Sequence, residues 1–366
     1  MTAPRGSRAD GSVAVRTTVA FALAALATAA VLASCSTRAP QVASRPSTTT
    51  ATTTTTSADA AAPSSIPNVS AAGSTTEAAG SAAQARLSEG CAAPNPDDTT
   101  PGAPESVVTL DVGGTERSYR LAVPATVDAE HPVGLILNLH GSGSNAIQQS
   151  AYSQLPVQGV ARGYIVATPD SVGGQWQMAG VGEDDAFLTS VIDLLGSSYC
   201  IDLKRVHAAG ISLGSWKATI TACTHPDRIA SLALVAEEVP PRNCARPVVA
   251  FHGTADRVVP YGEGADAGVV VTGANAGLPG AKANMTNWAE NGGCSTPPTV
   301  EQLAPDVEHW VFADCDPGIS VEFYSVKGGG HTWPGSPVDV DRLGPVTRTV
   351  DATGLALDWF DAHPLS

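Results

Sequence analysis

Three residues have the types and the order needed for nucleophilic catalysis: Ser212, then Asp256, then His331. Ser212 is the centre of Gly210-Ile211-Ser212-Leu213-Gly214, the one G-x-S-x-G of the chain. With 36 Gly in 366 residues the pattern alone is weak, so its context decides. An apolar run, Arg205-Val206-His207-Ala208-Ala209, leads into it, and a helix-compatible run leads out. Such a strand-to-helix turn raises the hydroxyl above a sheet at a helix N-terminus, where the helix dipole favours developing negative charge. A serine hydroxyl needs a base, and the base needs an orienting acid. Among the later histidines, His331 lies in Gly328-Gly329-Gly330-His331-Thr332-Trp333-Pro334, just past the apolar run Val321–Val326. His225 reads as a helix-end residue, and His363 lies at the C-terminus. Asp256 follows the run Pro247–Phe251 in His252-Gly253-Thr254-Ala255-Asp256, again a loop at a strand end. Backbone donors for an oxyanion would come from Leu213 and from His140-Gly141-Ser142-Gly143-Ser144-Asn145. Within that loop Ser142 is the expected donor and Gly143 the alternative; His140 reads as a structural loop residue.

The elements that must position these groups alternate along the chain. Val107–Val112 and Arg117–Val123 flank Gly113-Gly114 and predict a hairpin. Val133–Leu139 and Tyr164–Thr168 are uninterrupted apolar runs, the mark of strands buried on both faces. Asp184–Leu195 has helical spacing, with Asp184 and Asp185 in its first turn, where acids are favoured. Strands follow at Val206–Ala209, Ile229–Val235, Pro247–Phe251, His309–Phe312 and Val321–Val326, and helices at Ser212–Cys223, Asn284–Glu290 and Thr349–Asp361. Strands alternating with helices imply an α/β fold with a mostly parallel central sheet and helices on both faces.

The segments LHGSGSNA, PDSVGGQW, DDAFLTSVIDLL, YCIDLKRVHAAGISLG, HGTADRVVPY and GGGHTWPG occur in that order. Together they resemble the polyhydroxybutyrate depolymerase/feruloyl esterase group of α/β hydrolases, including its lipoprotein members, over about residues 104–334. The resemblance implies an α/β-hydrolase fold, Ser212 as nucleophile, Asp256 as orienting acid and His331 as base. It also implies ester substrates: hydroxyalkanoate polyesters or oligomers, or feruloyl and acetyl groups on polysaccharide. The chain departs from the group at Leu213 and Ser215-Trp216 around the serine and at Gly143-Ser144 in the earlier loop, which bears on substrate identity. Trp176 and Trp333 sit in loops expected to border the site and could wall a polyester repeat, a phenolic acid or a sugar ring; the alternative is that both are packing residues.

The remainder of the chain bears on location. Twenty Lys+Arg against 35 Asp+Glu give a net charge of −15, which excludes a protein that tracks nucleic-acid phosphates. Residues 1–34 carry Arg5, Arg8 and Arg16 followed by TTVAFALAALATAAVLA, the pattern of a secretory signal, with a single membrane anchor as the alternative. The run ends in Leu32-Ala33-Ser34-Cys35, which resembles a bacterial lipobox with Cys35 as the lipidated first mature residue. Residues 35–103 read as a disordered Thr/Ser/Ala/Pro-rich tether, with eight Thr among positions 48–56, and residues 104–366 as the catalytic domain. Six Cys remain after Cys35, and outside the cytoplasm three disulfides are expected. Cys294–Cys315 and Cys223–Cys244 each bracket a short connection, leaving Cys91–Cys200, out of fifteen possible pairings. No C-x-x-C pair exists and His does not cluster near Cys, so neither a metal nor another cofactor is expected. The reading is therefore a monomeric serine ester hydrolase, lipid-anchored at Cys35 on the outer side of a bacterial cell membrane. An acyltransferase using the same three residues and a non-catalytic surface-binding lipoprotein are the alternatives.

Overall fold

The computed structural model describes residues 85–92, 105–178, 181–240, 243–262 and 279–366. The expected signal segment, Cys35 and most of the expected tether lie outside the described residues.

Ten strands form one sheet in the order β1-β2-β4-β3-β5-β6-β7-β10-β9-β8. They are β1 (Ser106–Val112), β2 (Thr115–Ala122), β3 (Val133–Leu139), β4 (Tyr164–Pro169), β5 (Ile201–Ile211), β6 (Leu232–Val235), β7 (Val248–Gly253), β8 (Thr299–Ala304), β9 (Val307–Phe312) and β10 (Val321–Val326). The six central strands, β4-β3-β5-β6-β7-β10, pair in parallel. An antiparallel pair flanks them at each edge: β1-β2 beside β4, and β8-β9 beside β10. The α/β fold read from the sequence is the fold of the protein.

Six helices cover the sheet: α1 (Ala146–Ser153), α2 (Leu155–Ala161), α3 (Glu183–Ser198), α4 (Leu213–Thr224), α5 (Ala281–Asn291) and α6 (Ala352–Ala362). Strand alternation divides the core in two. Leu135, Leu137 and Leu139 of β3 share a cluster with Phe187 of α3, Ala218 of α4 and Trp288 of α5. Ile136 of the same strand shares the other with Leu155 of α2 and Phe360 of α6. Every residue of β3, β4, β6 and β7 is buried, as strands covered on both faces must be.

The expected acids of α3 do more than sit at a helix start. Asp184 is buried against the Arg117 guanidinium at 2.7 Å, and Asp185 accepts from the His225 imidazole at 2.6 Å. This cross-links α3 to β2 and to the end of α4.

All three expected disulfides form: Cys91–Cys200, Cys223–Cys244 and Cys294–Cys315. The first corrects the boundary drawn from composition. Residues 85–92, assigned above to the tether, are held on the domain. Leu87 bridges Asp202, the Ser88 N–H donates to the Ile201 carbonyl at 2.9 Å, and Cys91 is tied to Cys200. Gly90 packs so close to the Tyr199 backbone that a β-carbon there would overlap it. Among the described residues no helix is long and apolar enough to cross a membrane. Three disulfides are the mark of a protein that folds in an oxidising, extracytoplasmic compartment.

Candidate active site

Ser212 sits between the last residue of β5 and the first of α4, with φ 57° and ψ −127°. That positive φ is unfavourable for a residue with a β-carbon. The flanking chain imposes it. A β-carbon on Gly210 would overlap the Gly214 backbone, and one on Gly214 would run into the carbonyls of Leu139 and His140. Strand and helix can therefore approach closely only with glycine at both positions. The Ser212 N–H is spent on the Val235 carbonyl of β6 at 2.8 Å. The Ser215 hydroxyl, fully buried, donates to the Gly210 carbonyl at 2.6 Å and accepts from the Val235 N–H at 2.9 Å. Ser215 thus pins the turn to its neighbouring strand. The sequence flagged it only as a departure from the resembling group.

Asp256 lies in the turn after β7. Its Oδ1 accepts from the N–H groups of Val258 at 2.7 Å and Val259 at 3.0 Å. Its Oδ2 accepts from His331 Nδ1 at 2.7 Å, with Asp256 fully buried and His331 nearly so. Burial works to raise the Asp256 carboxyl, but hydrogen bonds from His252 and His331 outweigh it and hold the group well below the usual carboxylate range. An ionised Asp256 fixes the proton of His331 on Nδ1 and leaves Nε2 as an acceptor. The two loops are locked together. Ala255 N–H donates to the Gly329 carbonyl at 2.9 Å, Gly328 N–H donates to Thr254 Oγ1 at 2.8 Å, and His331 N–H donates to the Leu343 carbonyl at 2.7 Å.

Ser212 and His331 line one cavity of about 630 Å³. Its walls are largely apolar, including Ile147, Tyr152, Ile211, Val258 and Leu343, and Arg342 also lines it. Burial pushes the Tyr152 phenol up to about 12, so it stays neutral. A second groove, of about 690 Å³, lies between the N-terminal segment and α3, and no histidine lines it.

Ser142 lines the cavity, and its hydroxyl accepts from Gln175 Nε2 at 2.6 Å. The Gly143 N–H is committed to the Gly174 carbonyl at 2.8 Å. Leu213 is the first residue of α4, so its N–H has no partner within the helix. His140 is the structural residue expected: Nδ1 donates to the Gly141 carbonyl at 2.7 Å and Nε2 accepts from the Ser171 N–H at 3.1 Å. Burial, the largest influence on it, lowers its basicity, so the ring is neutral.

The two tryptophans do not line the cavity. Trp333 is 1% exposed, and its indole N–H donates to Thr353 Oγ1 at 2.9 Å, at the start of α6. Trp176 is 4% exposed, and its indole N–H donates to the His140 carbonyl at 2.8 Å. Both are packing residues that brace the loops of the site. The substrate-contact reading is corrected: proximity in sequence put them beside the site, but their rings turn inward to bury apolar area. Sequence reasoning also passed over Glu238 and His252. His252 was read only as part of the approach to Asp256, and Glu238 lies in a loop without a motif.

A mostly parallel sheet with helices on both faces and a serine on the sharp turn after its fifth strand is the α/β-hydrolase fold. No family model matches the chain. It is 31% identical over 231 residues to feruloyl esterase B of Piromyces equi, covering 59% of this chain and 42% of that protein. It is 29% identical over 289 residues to the putative esterase NocK of Nocardia uniformis subsp. tsuyamanensis, covering 72% of this chain and 83% of that one. It is 26% identical over 247 residues to poly(3-hydroxyalkanoate) depolymerase C of Paucimonas lemoignei, covering 59% and 58%. Among solved structures, an acetyl xylan esterase from Aspergillus awamori shares the fold, with a TM-score of 0.51 at 16% identity over 70% of this chain and 99% of that one. The chain is thus similar to feruloyl esterases, a putative esterase and a poly(3-hydroxyalkanoate) depolymerase. It spans less than half the length of the Piromyces protein.

Proposed function

We propose that the protein is a serine carboxylester hydrolase in which Ser212, His331 and Asp256 form the catalytic triad. The observation that carries this reading is the 2.7 Å bond from His331 Nδ1 to Asp256, with His331 and Ser212 on one cavity. His331 Nε2 takes the proton of Ser212 as Oγ attacks the ester carbonyl. Asp256 holds the ring in the required tautomer and stabilises its charged form. The oxyanion is received by the N–H groups of Leu213 and Ser142; with the Gly143 N–H already committed, Ser142 supports the donor choice within its loop. His331 then protonates the leaving alcohol, and water, activated by the same base, releases the acyl group. The apolar walls suit the acyl part of a feruloyl, acetyl or hydroxyalkanoate ester. Cys35 is the lipid attachment site, residues 1–34 are the signal, and the chain from Cys35 to the domain is the leash that holds it outside the cell membrane.

An ester panel (p-nitrophenyl acetate and butyrate, methyl ferulate, acetylated xylan, hydroxybutyrate oligomers) on wild type and Ser212→Ala tests this. Wild type hydrolyses at least one member, and Ser212→Ala loses roughly a thousandfold or more of that rate. A folded wild type that hydrolyses none, and whose Ser212 is not labelled by a fluorophosphonate, overturns it.

A further inference from the structure

We propose that His252 is a positioning residue held as a buried imidazolium between Glu238 and Asp256, extending the Asp256–His331 pair into a chain Glu238–His252–Asp256–His331. Its nitrogens meet only acceptors. Nδ1 lies 2.7 Å from Glu238 Oε2. Nε2 lies 3.1 Å from the Val259 carbonyl and 3.3 Å from Asp256 Oδ2, the oxygen that also serves His331. A carbonyl cannot donate, so Nε2 carries a proton. The side chains of Glu238, His252 and Asp256 are each fully buried. Two carboxylates buried without a cation are strongly unfavourable, and a proton on Nδ1 resolves both.

The surroundings agree. Glu238 Oε1 accepts from Asn284 Nδ2 at 3.1 Å, so α5 meets the carboxylate with a donor, and Trp288 Nε1 of the same helix donates to the Glu238 backbone carbonyl at 2.8 Å. Among the described residues Tyr261 also meets the His252 ring, edge-on at 5.6 Å. Its phenol is pushed up to about 12, chiefly by burial, and shares a hydrogen bond with Ser325, so it adds no charge. Burial, the largest influence on His252, disfavours its charge, but Glu238 and Asp256 outweigh it and raise the ring well above an ordinary histidine.

The consequence falls on the base. A positive charge behind Asp256 draws off part of the field that would otherwise stabilise a protonated His331. His252 also holds the Asp256 carboxylate at Oδ2, the oxygen it shares with His331.

The test has a spectroscopic arm that needs no activity. In uniformly ¹⁵N-labelled wild type, both ring nitrogens of His252, assigned through their couplings, are expected to stay protonated from about pH 6 to 8.5. A single protonated nitrogen, meaning a neutral ring beside a protonated Glu238, overturns the proposal. The kinetic arm rests on the hydrolase reading. In Glu238→Gln the acid limb of kcat/KM for p-nitrophenyl butyrate moves up by on the order of one pH unit. The loss at low pH is then about tenfold greater than at pH 9. Glu238→Asp returns the limb toward wild type. A loss equal at all pH values, with the limb unmoved, points to a merely structural role and also overturns the proposal. If no ester is hydrolysed, the hydrolase reading fails by itself while the ¹⁵N spectrum still decides the state of His252.

Discussion

The turn at Ser212 offers a measurement of what the elbow costs the fold. Ser212→Ala and Ser212→Gly both remove the hydroxyl, so neither can act as a nucleophile. They differ in backbone freedom. Alanine must keep φ 57° and ψ −127° with a β-carbon present, whereas glycine reaches that region freely. A non-glycine residue in such a conformation carries about 1–3 kcal/mol of strain. Glycine gives back roughly 0.5–1 kcal/mol through its greater freedom in the unfolded chain. The glycine variant should therefore be more stable than the alanine variant by about 1 kcal/mol. In a domain of this size that is a rise of roughly 2–4 °C in Tm. Urea unfolding of both variants at one pH should give a higher midpoint for Ser212→Gly at an unchanged slope. Equal midpoints, or a lower one for glycine, would refute the argument that Gly210, Gly214 and the Val235 carbonyl hold Ser212 under strain.

The remaining expectations concern staples and acid. Cys91 and Cys200 lie 109 residues apart, and the other two pairs 21 apart each. Loop-closure entropy then assigns about 5 kcal/mol to the first bridge and about 3 to each of the others. Replacing Cys91 and Cys200 together by Ala should lower the denaturation midpoint more than either other double replacement; the reverse ranking would contradict this. Asp256 ionises in the folded protein at lower pH than in the unfolded chain, whose value is near 3.8. Its contribution to stability is therefore complete above about pH 4 and is lost as pH falls toward the folded value. Asp256→Asn should flatten the pH dependence of the unfolding free energy below about pH 4 and lower kcat at neutral pH by about 10³–10⁴. An unchanged acid slope in the variant would show that Asp256 is not the group responsible.

The parts of the fold legible in the sequence are those with a strong local signature. Runs such as VGLILNL can only be buried strands, and Gly113-Gly114 between β1 and β2 marks a turn. Helices α1 and α2 escaped notice because AIQQSAYS is polar along most of its length and LPVQGVA is short and holds both Pro and Gly. Strand β8 is an exposed edge whose TVEQLA has no regular alternation, so nothing in it demands burial. In the site, the order and loop context of Ser212, Asp256 and His331 were readable because glycine marks each turn. Ser215, Glu238 and His252 were not, since their importance comes from partners on other strands: Val235 for the first, and each other and Asp256 for the pair. Trp176 and Trp333 show the converse. Nearness along the chain does not say which way a ring faces.

The clasp of Leu87 and Cys91 onto Asp202 and Cys200 lies at the start of β5, and Ser212 follows the end of that same eleven-residue strand. The two points are separated by the length of the strand, roughly 35 Å. The N-terminal segment is thus fastened to the domain at the end of β5 remote from Ser212. Whatever chain precedes Leu87 is therefore held at the foot of β5, and the cavity mouth at its other end is left clear of that clasp.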